Sequence, residues 1–203
     1  MKNTFLLSVA ISLFMTIGCQ EQALRESSGF TPLDSLQRQI AGFAAESGGE
    51  VGVAAKNFAT GLEVRYRDSA RYPMQSTFKF PIAMAVLHQV DEGRLLLEQP
   101  IYLDRKWMVP NTWSPLRDSF PKGNVNVPLS KLLTLMVSQS DNIACDILID
   151  LIGNEAMIND YIHKLGVKDL AIVANEAKMH AGWEVQYSNW CHHCEDQQSA
   201  LRF

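Results

Sequence analysis

The chain has 203 residues, 47% of them hydrophobic and 20% charged, a composition that suits a globular domain with a real core. Its formal charge of −4, with no basic block, argues against nucleic acid as a partner, and no charge run marks an acidic or basic tail.

At the N-terminus, Lys2 precedes an apolar, uncharged stretch from Phe5 to Ile17. It suits a secretory signal segment over residues 1–18 and is too short to span a bilayer comfortably. It closes on Thr16-Ile17-Gly18-Cys19, which resembles the lipobox of bacterial lipoproteins, with Thr16 where leucine is usual. That resemblance implies lipidation at Cys19 and an exported protein, periplasmic or anchored to the outer membrane of a Gram-negative-type bacterium. Residues 19–30 read as a polar tether.

Thr31-Pro32 opens a helix in which Leu33, Leu36, Ile40 and Phe43 recur at helical spacing, stopped by Gly48-Gly49. Two strands follow. Val51, Val53 and Ala55 alternate, then Leu62, Val64 and Tyr66 alternate against Glu63, Arg65 and Arg67, joined through Ala59-Thr60-Gly61. The arginine-bearing face is expected to be solvated. From Ser76 the pattern turns helical, and the run Phe78 to Val90 is apolar nearly all round, which predicts a central buried helix ended by Gly93. Residues 94–127 read as irregular. Helices are predicted at about Leu129–Gln139, at Ile143–Ile152 closed by Gly153, and after Asn154, where Met157, Ile158, Tyr161, Ile162 and Leu165 precede Gly166. No further strand is evident, although a two-stranded hairpin is not stable alone.

Two short motifs bear on chemistry. Ser76-Thr77-Phe78-Lys79 places a serine and a lysine three apart, on one face of a helix. A serine hydroxyl needs a base to act as nucleophile, and a lysine serves when its surroundings depress its basicity. A helix N-terminus also favours negative charge developing on an attacked carbonyl. The plain alternative is a capping serine with a lysine that snorkels to water. The second motif is Ser140-Asp141-Asn142, at a break between two apolar helices. Ser140 could relay a proton to a leaving nitrogen, and the Asn142 amide could bind a substrate carbonyl and Lys79. It is equally good composition for a turn and helix cap.

Together the two motifs resemble the class A serine β-lactamases, from the first helix to about Trp190. Trp113-Ser114-Pro115 is similar to the aromatic-Ser-Pro of that family's substrate entrance. The resemblance implies an α+β, β-lactamase/transpeptidase-like fold: a helical domain plus an antiparallel sheet with flanking helices. It implies hydrolysis of penicillins or cephalosporins through a Ser76 acyl-enzyme, with Lys79, or Glu176 through water, as base. Ser140 would protonate the leaving nitrogen. Glu176, in Asn175-Glu176-Ala177-Lys178-Met179-His180, would activate the deacylating water. Trp113, Asn142 and His180 would contact substrate or hold that water. A monomer is expected, with a small β-lactam as its partner and no cofactor. Cys145 reads as a core residue. Cys191-His192-His193-Cys194 lacks the two separated ligand pairs of a zinc site, so no metal is expected.

Departures accompany the match. Ala174 and Ala177 stand where arginine and proline are common, as in the subgroup of extended-spectrum cephalosporinases. The family's Lys-[Ser/Thr]-Gly triplet, which lines the cleft and supplies an oxyanion donor, occurs nowhere in the chain. The expectation is therefore a truncated or frame-shifted product: a partial domain over residues 31–190 and an aberrant tail over 191–203, lacking C-terminal strands and helix, with little or no hydrolysis. A penicillin-binding transpeptidase or carboxypeptidase lacking the deacylating acid, a non-catalytic penicilloyl-binding domain, and an exported helical domain with coincidental motifs are the alternatives.

Overall fold

A computed structural model describes residues 31–186 and 189–191. The signal segment, the tether with Cys19, and all of the tail except Cys191 lie outside the described residues. The chain forms two compact units, divided after Asp68.

In the first unit, helix α1 (Pro32–Glu46) starts at a capping box. The Thr31 hydroxyl accepts from the Asp34 N–H at 3.2 Å, and the Asp34 carboxylate accepts from the Thr31 N–H at 2.8 Å. Pro32 fits at the first helical position, where no N–H is required. Strands β1 (Val53–Lys56) and β2 (Glu63–Tyr66) pair antiparallel, with Lys56 opposite Glu63. These two form an ion pair, and Glu63 also meets Arg65 at 2.9 Å. The Asn57 carboxamide oxygen shapes the connecting turn by accepting from Ala59 and Thr60 N–H. The expected alternation is weak: among the strand residues only Val64 is buried, and Leu62 lies in the turn.

The second unit builds the main core. Strand β3 (Tyr72–Pro73) leads through a 3₁₀ turn (Gln75–Phe78) into α2 (Lys79–Asp91). Strands β4 (Pro100–Leu103) and β5 (Val125–Pro128) flank the short helix α3 (Pro115–Ser119). Then come α4 (Leu129–Gln139), α5 (Asn142–Leu151) and α6 (Glu155–Lys164). Strand β6 (Leu170–Ala171), helices α7 (Glu176–Met179) and α8 (Trp183–Gln186), and strand β7 (Trp190–Cys191) complete it.

Two expectations are corrected here. Residues 94–127 are not irregular throughout, because β4 and β5 pair antiparallel, Ile101 opposite Val127 and Leu103 opposite Val125. Prolines Pro100 and Pro128 sit opposite each other at the end of this ladder, where a missing N–H is tolerated. Strand β7 further pairs with both β3 and β6. Second, the helix after Ser76 is not enclosed on all sides. Phe80 and Leu87 are exposed on α2, whereas seven consecutive residues of α5, Ile143–Ile149, are buried. The central helix is α5.

Candidate functional site

Ser76 lies in the 3₁₀ turn just ahead of α2, not in an α-helix. The preceding Gln75 has φ +47°, a left-handed conformation that is uncommon for a side-chain-bearing residue and typical of functional turns. Three residues on, Lys79 begins α2 and is only 2% exposed. Its Nζ is ringed by oxygens: Asn142 Oδ1 at 2.6 Å, Glu176 Oε1 at 2.8 Å, Ser140 O at 2.9 Å, Ser140 Oγ at 3.1 Å and Ser76 Oγ at 3.4 Å. An ammonium has three protons to give, so the more distant Ser76 oxygen competes worst for them. Burying this cation is tolerable because Glu176, itself 9% exposed, supplies the opposite charge in direct contact. Of the sequence-predicted residues, Ser76, Lys79, Ser140, Asn142 and Glu176 thus meet around one nitrogen.

The Ser-Asp-Asn triplet divides its labour. Ser140 ends α4 in a left-handed conformation (φ +56°), which turns its hydroxyl and carbonyl onto Lys79. Asp141 is the N-cap of α5 and is fully buried. It accepts from Ala144 N–H (2.9 Å), Ser114 Oγ (2.9 Å) and Leu116 N–H (2.6 Å). The triplet is a helix cap through Asp141 and meets Lys79 through Ser140 and Asn142. Trp113 beside this clip donates its indole N–H to the Gln139 carbonyl at 2.8 Å and leaves its ring exposed.

His180 is exposed, and its Nε2 lies 3.0 Å from Thr112 Oγ1, which also accepts from Asn142 Nδ2 at 3.0 Å. Thr112 thus links the histidine to the asparagine, and no sequence signal marks it. Ser76, Asn142, Glu176 and His180 border a polar cavity of about 180 Å³. That is well above the roughly 15 Å³ one water requires. Ser76, Lys79 and Ser140 also edge a larger, mainly apolar trough of about 650 Å³, walled by Phe80, Met84 and Met136 among others.

Glu176 does not lie on a wholly irregular loop but opens α7, a single helical turn capped by Asn175. One turn has little stability of its own, and side chains from elsewhere hold this segment by its backbone. Asn159 exchanges two hydrogen bonds with Ile172, at 2.7 and 2.9 Å. The fully buried Asn189 accepts from Val173 and Ala174 N–H and donates to the Ala174 carbonyl. Asp146, buried on α5, accepts from Glu176 N–H at 2.8 Å and Ala177 N–H at 3.0 Å. None of these three holders was legible beforehand.

Asp146 also makes stability depend on pH. Burial is the main cause that raises its carboxyl pKa to about 6; the two N–H donors oppose the rise and the Glu176 charge adds to it. The folded protein therefore binds a proton that the unfolded chain, at 3.8, has already released. Stability is lost as pH rises from about 4 to about 6, by about 3 kcal/mol at most. Urea unfolding across that range should show this slope, and Asp146→Asn should flatten it. Burial is also the chief reason the Cys145 thiol is held well above its ordinary range, with the Asp146 and Glu176 charges adding to it, and it is an inert core group.

The model of the beta-lactamase enzyme family matches residues 35–197. The chain is 42% identical over 165 residues to the extended-spectrum beta-lactamase PER-1 of Pseudomonas aeruginosa, covering 81% of this chain and 53% of that relative. It is 36% identical over 185 residues to the beta-lactamase VEB-1 of the same organism, covering 91% of this chain and 58% of that one. A solved beta-lactamase from Chitinophaga pinensis DSM 2588 superposes with a TM-score of 0.75 at 43% identity, over 79% of this chain and 59% of that structure. The chain thus spans little more than half the length of the curated relatives it matches.

Proposed function

This chain belongs to the class A serine β-lactamase family, with its α+β fold, and from that membership we propose that Ser76 opens β-lactam rings as an acyl-enzyme nucleophile. The observation that carries the proposal is the buried contact between Lys79 and Glu176 at 2.8 Å, with Ser76 Oγ at 3.4 Å from the same nitrogen. Passing one Lys79 proton to Glu176 leaves a neutral amine facing Ser76, able to take the hydroxyl proton as oxygen attacks the lactam carbonyl. Ser140 Oγ, 3.1 Å from Lys79, then returns a proton to the departing ring nitrogen. Asn142 spends one amide proton on Thr112 and has a second for a substrate carbonyl. Lys79 makes good the proton Ser140 has given and takes its own back from Glu176, whose restored carboxylate then deprotonates a water in the polar cavity. The hydroxide cleaves the ester, and Glu176 hands the proton to the departing Ser76 oxygen.

His180 acts in this scheme through Thr112 and the wall of the water cavity. Trp113 offers an exposed ring at the entrance. Export and lipidation at Cys19 remain part of the reading, resting on the N-terminal sequence alone. The Lys-[Ser/Thr]-Gly triplet, to which the resemblance gives an oxyanion donor, is not among these 203 residues. Lacking one such donor costs about 10²–10³ in turnover, so these residues by themselves should acylate and turn over slowly.

Mass spectrometry after prolonged incubation with a chromogenic cephalosporin tests the scheme. One adduct is expected on the peptide bearing Ser76, absent in Ser76→Ala and longer-lived in Glu176→Gln. An adduct that survives Ser76→Ala, or none on the unmodified chain, would sink it.

A further inference from the structure

Helix α7 carries Glu176 but is a single turn, so the aim of that carboxylate depends on what grips the helix from outside. Asp146 of α5 grips one part of it, through Glu176 and Ala177 N–H. A second acid reaches the same four residues from another helix. Glu155, in the first turn of α6, meets Lys178 Nζ with its Oε1 at 2.7 Å. Its side chain is only 14% exposed, unusual for an acid in the first turn of a surface helix. We propose that Glu155 is a positioning residue for Glu176: with Lys178 it clamps α7 to α6, so that two carboxylates on two helices fix the turn from which Glu176 reaches Lys79. This deepens the deacylation role given to Glu176 above and rests on that reading.

The clamp is charged at neutral pH. Burial pushes the Glu155 carboxyl up, but Lys178 and the backbone N–H groups of Glu155 and Asn175 more than offset it and hold it below the usual carboxylate range. Lys178, the third residue of the turn, is also the one whose N–H the Asn175 cap accepts from at 2.9 Å, so Glu155 grips the residue that closes the cap. Glu155 and Lys178 lie 23 positions apart, so no local helix pairing explains their meeting. An acid in the first turn also favours α6 through the helix dipole, and the test has to separate that bland role from the clamp.

Charge reversal separates them. Glu155→Gln and Lys178→Glu each break the clamp, and the double exchange Glu155→Lys with Lys178→Glu rebuilds it with the signs swapped. A lysine in the first turn of α6 is unfavourable for the dipole, so a merely helix-stabilising Glu155 is not rescued by the swap. Amide hydrogen exchange, which needs no catalytic activity, should run about ten-fold faster over residues 175–180 in each single variant and return towards the original rate in the swap. Where the acyl-enzyme forms, the single variants should prolong its life several-fold more than they slow its formation. Unchanged exchange in the single variants, faster exchange confined to residues 155–164, or no recovery in the swap would each overturn the clamp. A chain that never acylates would overturn the role of Ser76 while leaving the exchange result to decide whether Glu155 holds α7.

Discussion

Lys79→Ala should destabilise the protein by about 3–5 kcal/mol and slow acylation of Ser76 by at least about 10³-fold. Glu176 would keep its place in a buried setting without its cation, and Asn142 Oδ1 and the Ser140 carbonyl would lose their shared donor. Urea unfolding at pH 7 reads the first effect, and timed mass spectrometry of the Ser76 peptide reads the second. The pair of changes Lys79→Ala with Glu176→Gln makes the cause visible. A neutral amide has no charge to strand, so the double variant should regain much of the lost stability while remaining unreactive. A Lys79→Ala protein as stable as its parent would mean that the two side chains do not form a buried ion pair.

Asp141→Ala should cost about as much or more, about 3–7 kcal/mol, although Asp141 has no proposed chemical role. The change removes the N-cap of α5, typically worth about 1 kcal/mol. It also strands the Ser114 hydroxyl and the Leu116 N–H in a buried place, at about 1–3 kcal/mol each. Asp141→Asn keeps one carboxamide oxygen and should lose about half as much. The damage should be local as well as global: hydrogen exchange should quicken over residues 113–117, the segment the carboxylate ties to α5. Equal stability of the alanine variant would show that water replaces the lost acceptor.

Much of the helical block was readable because its boundaries are written in single residues. Gly48, Gly93, Gly153 and Gly166 stop their helices and all adopt positive φ, and Asn154 caps α6 by accepting from Ala156 and Met157 N–H. The small sheets were not readable. Strands β3, β6 and β7 are two residues each, too short for any alternation to register. Apolar content also misled the choice of central helix. The run from Phe78 to Val90 reads as apolar nearly all round, yet Phe80 and Leu87 are exposed while Asp146 on α5 is buried. Asp146 is inside because its partners are backbone N–H groups 30 and 31 positions away, which no local pattern announces. The site divides in the same way. Ser76 and Lys79 are neighbours on one turn, so their spacing speaks for itself. Ser140 and Asn142 meet Lys79 from 61 and 63 positions downstream; residue chemistry offers Asn142 to Lys79 as one possibility, and the family resemblance makes the grouping an expectation. Thr112, Asn159 and Asn189 are ordinary polar residues in sequence and act only through where the fold puts them.

The segment from Ile172 to Ala177 is held by its peptide N–H and C=O groups, which nearly every amino acid carries. Mutational drift can therefore change what Val173 or Ala177 presents to a neighbour without loosening the segment. Proline is the replacement barred wherever an N–H is used, at Ile172, Val173, Ala174 and Glu176 as at Ala177. Proline at position 177 has no hydrogen to offer Asp146, so the proline common in other branches and the Asp146 anchor found here are rival solutions.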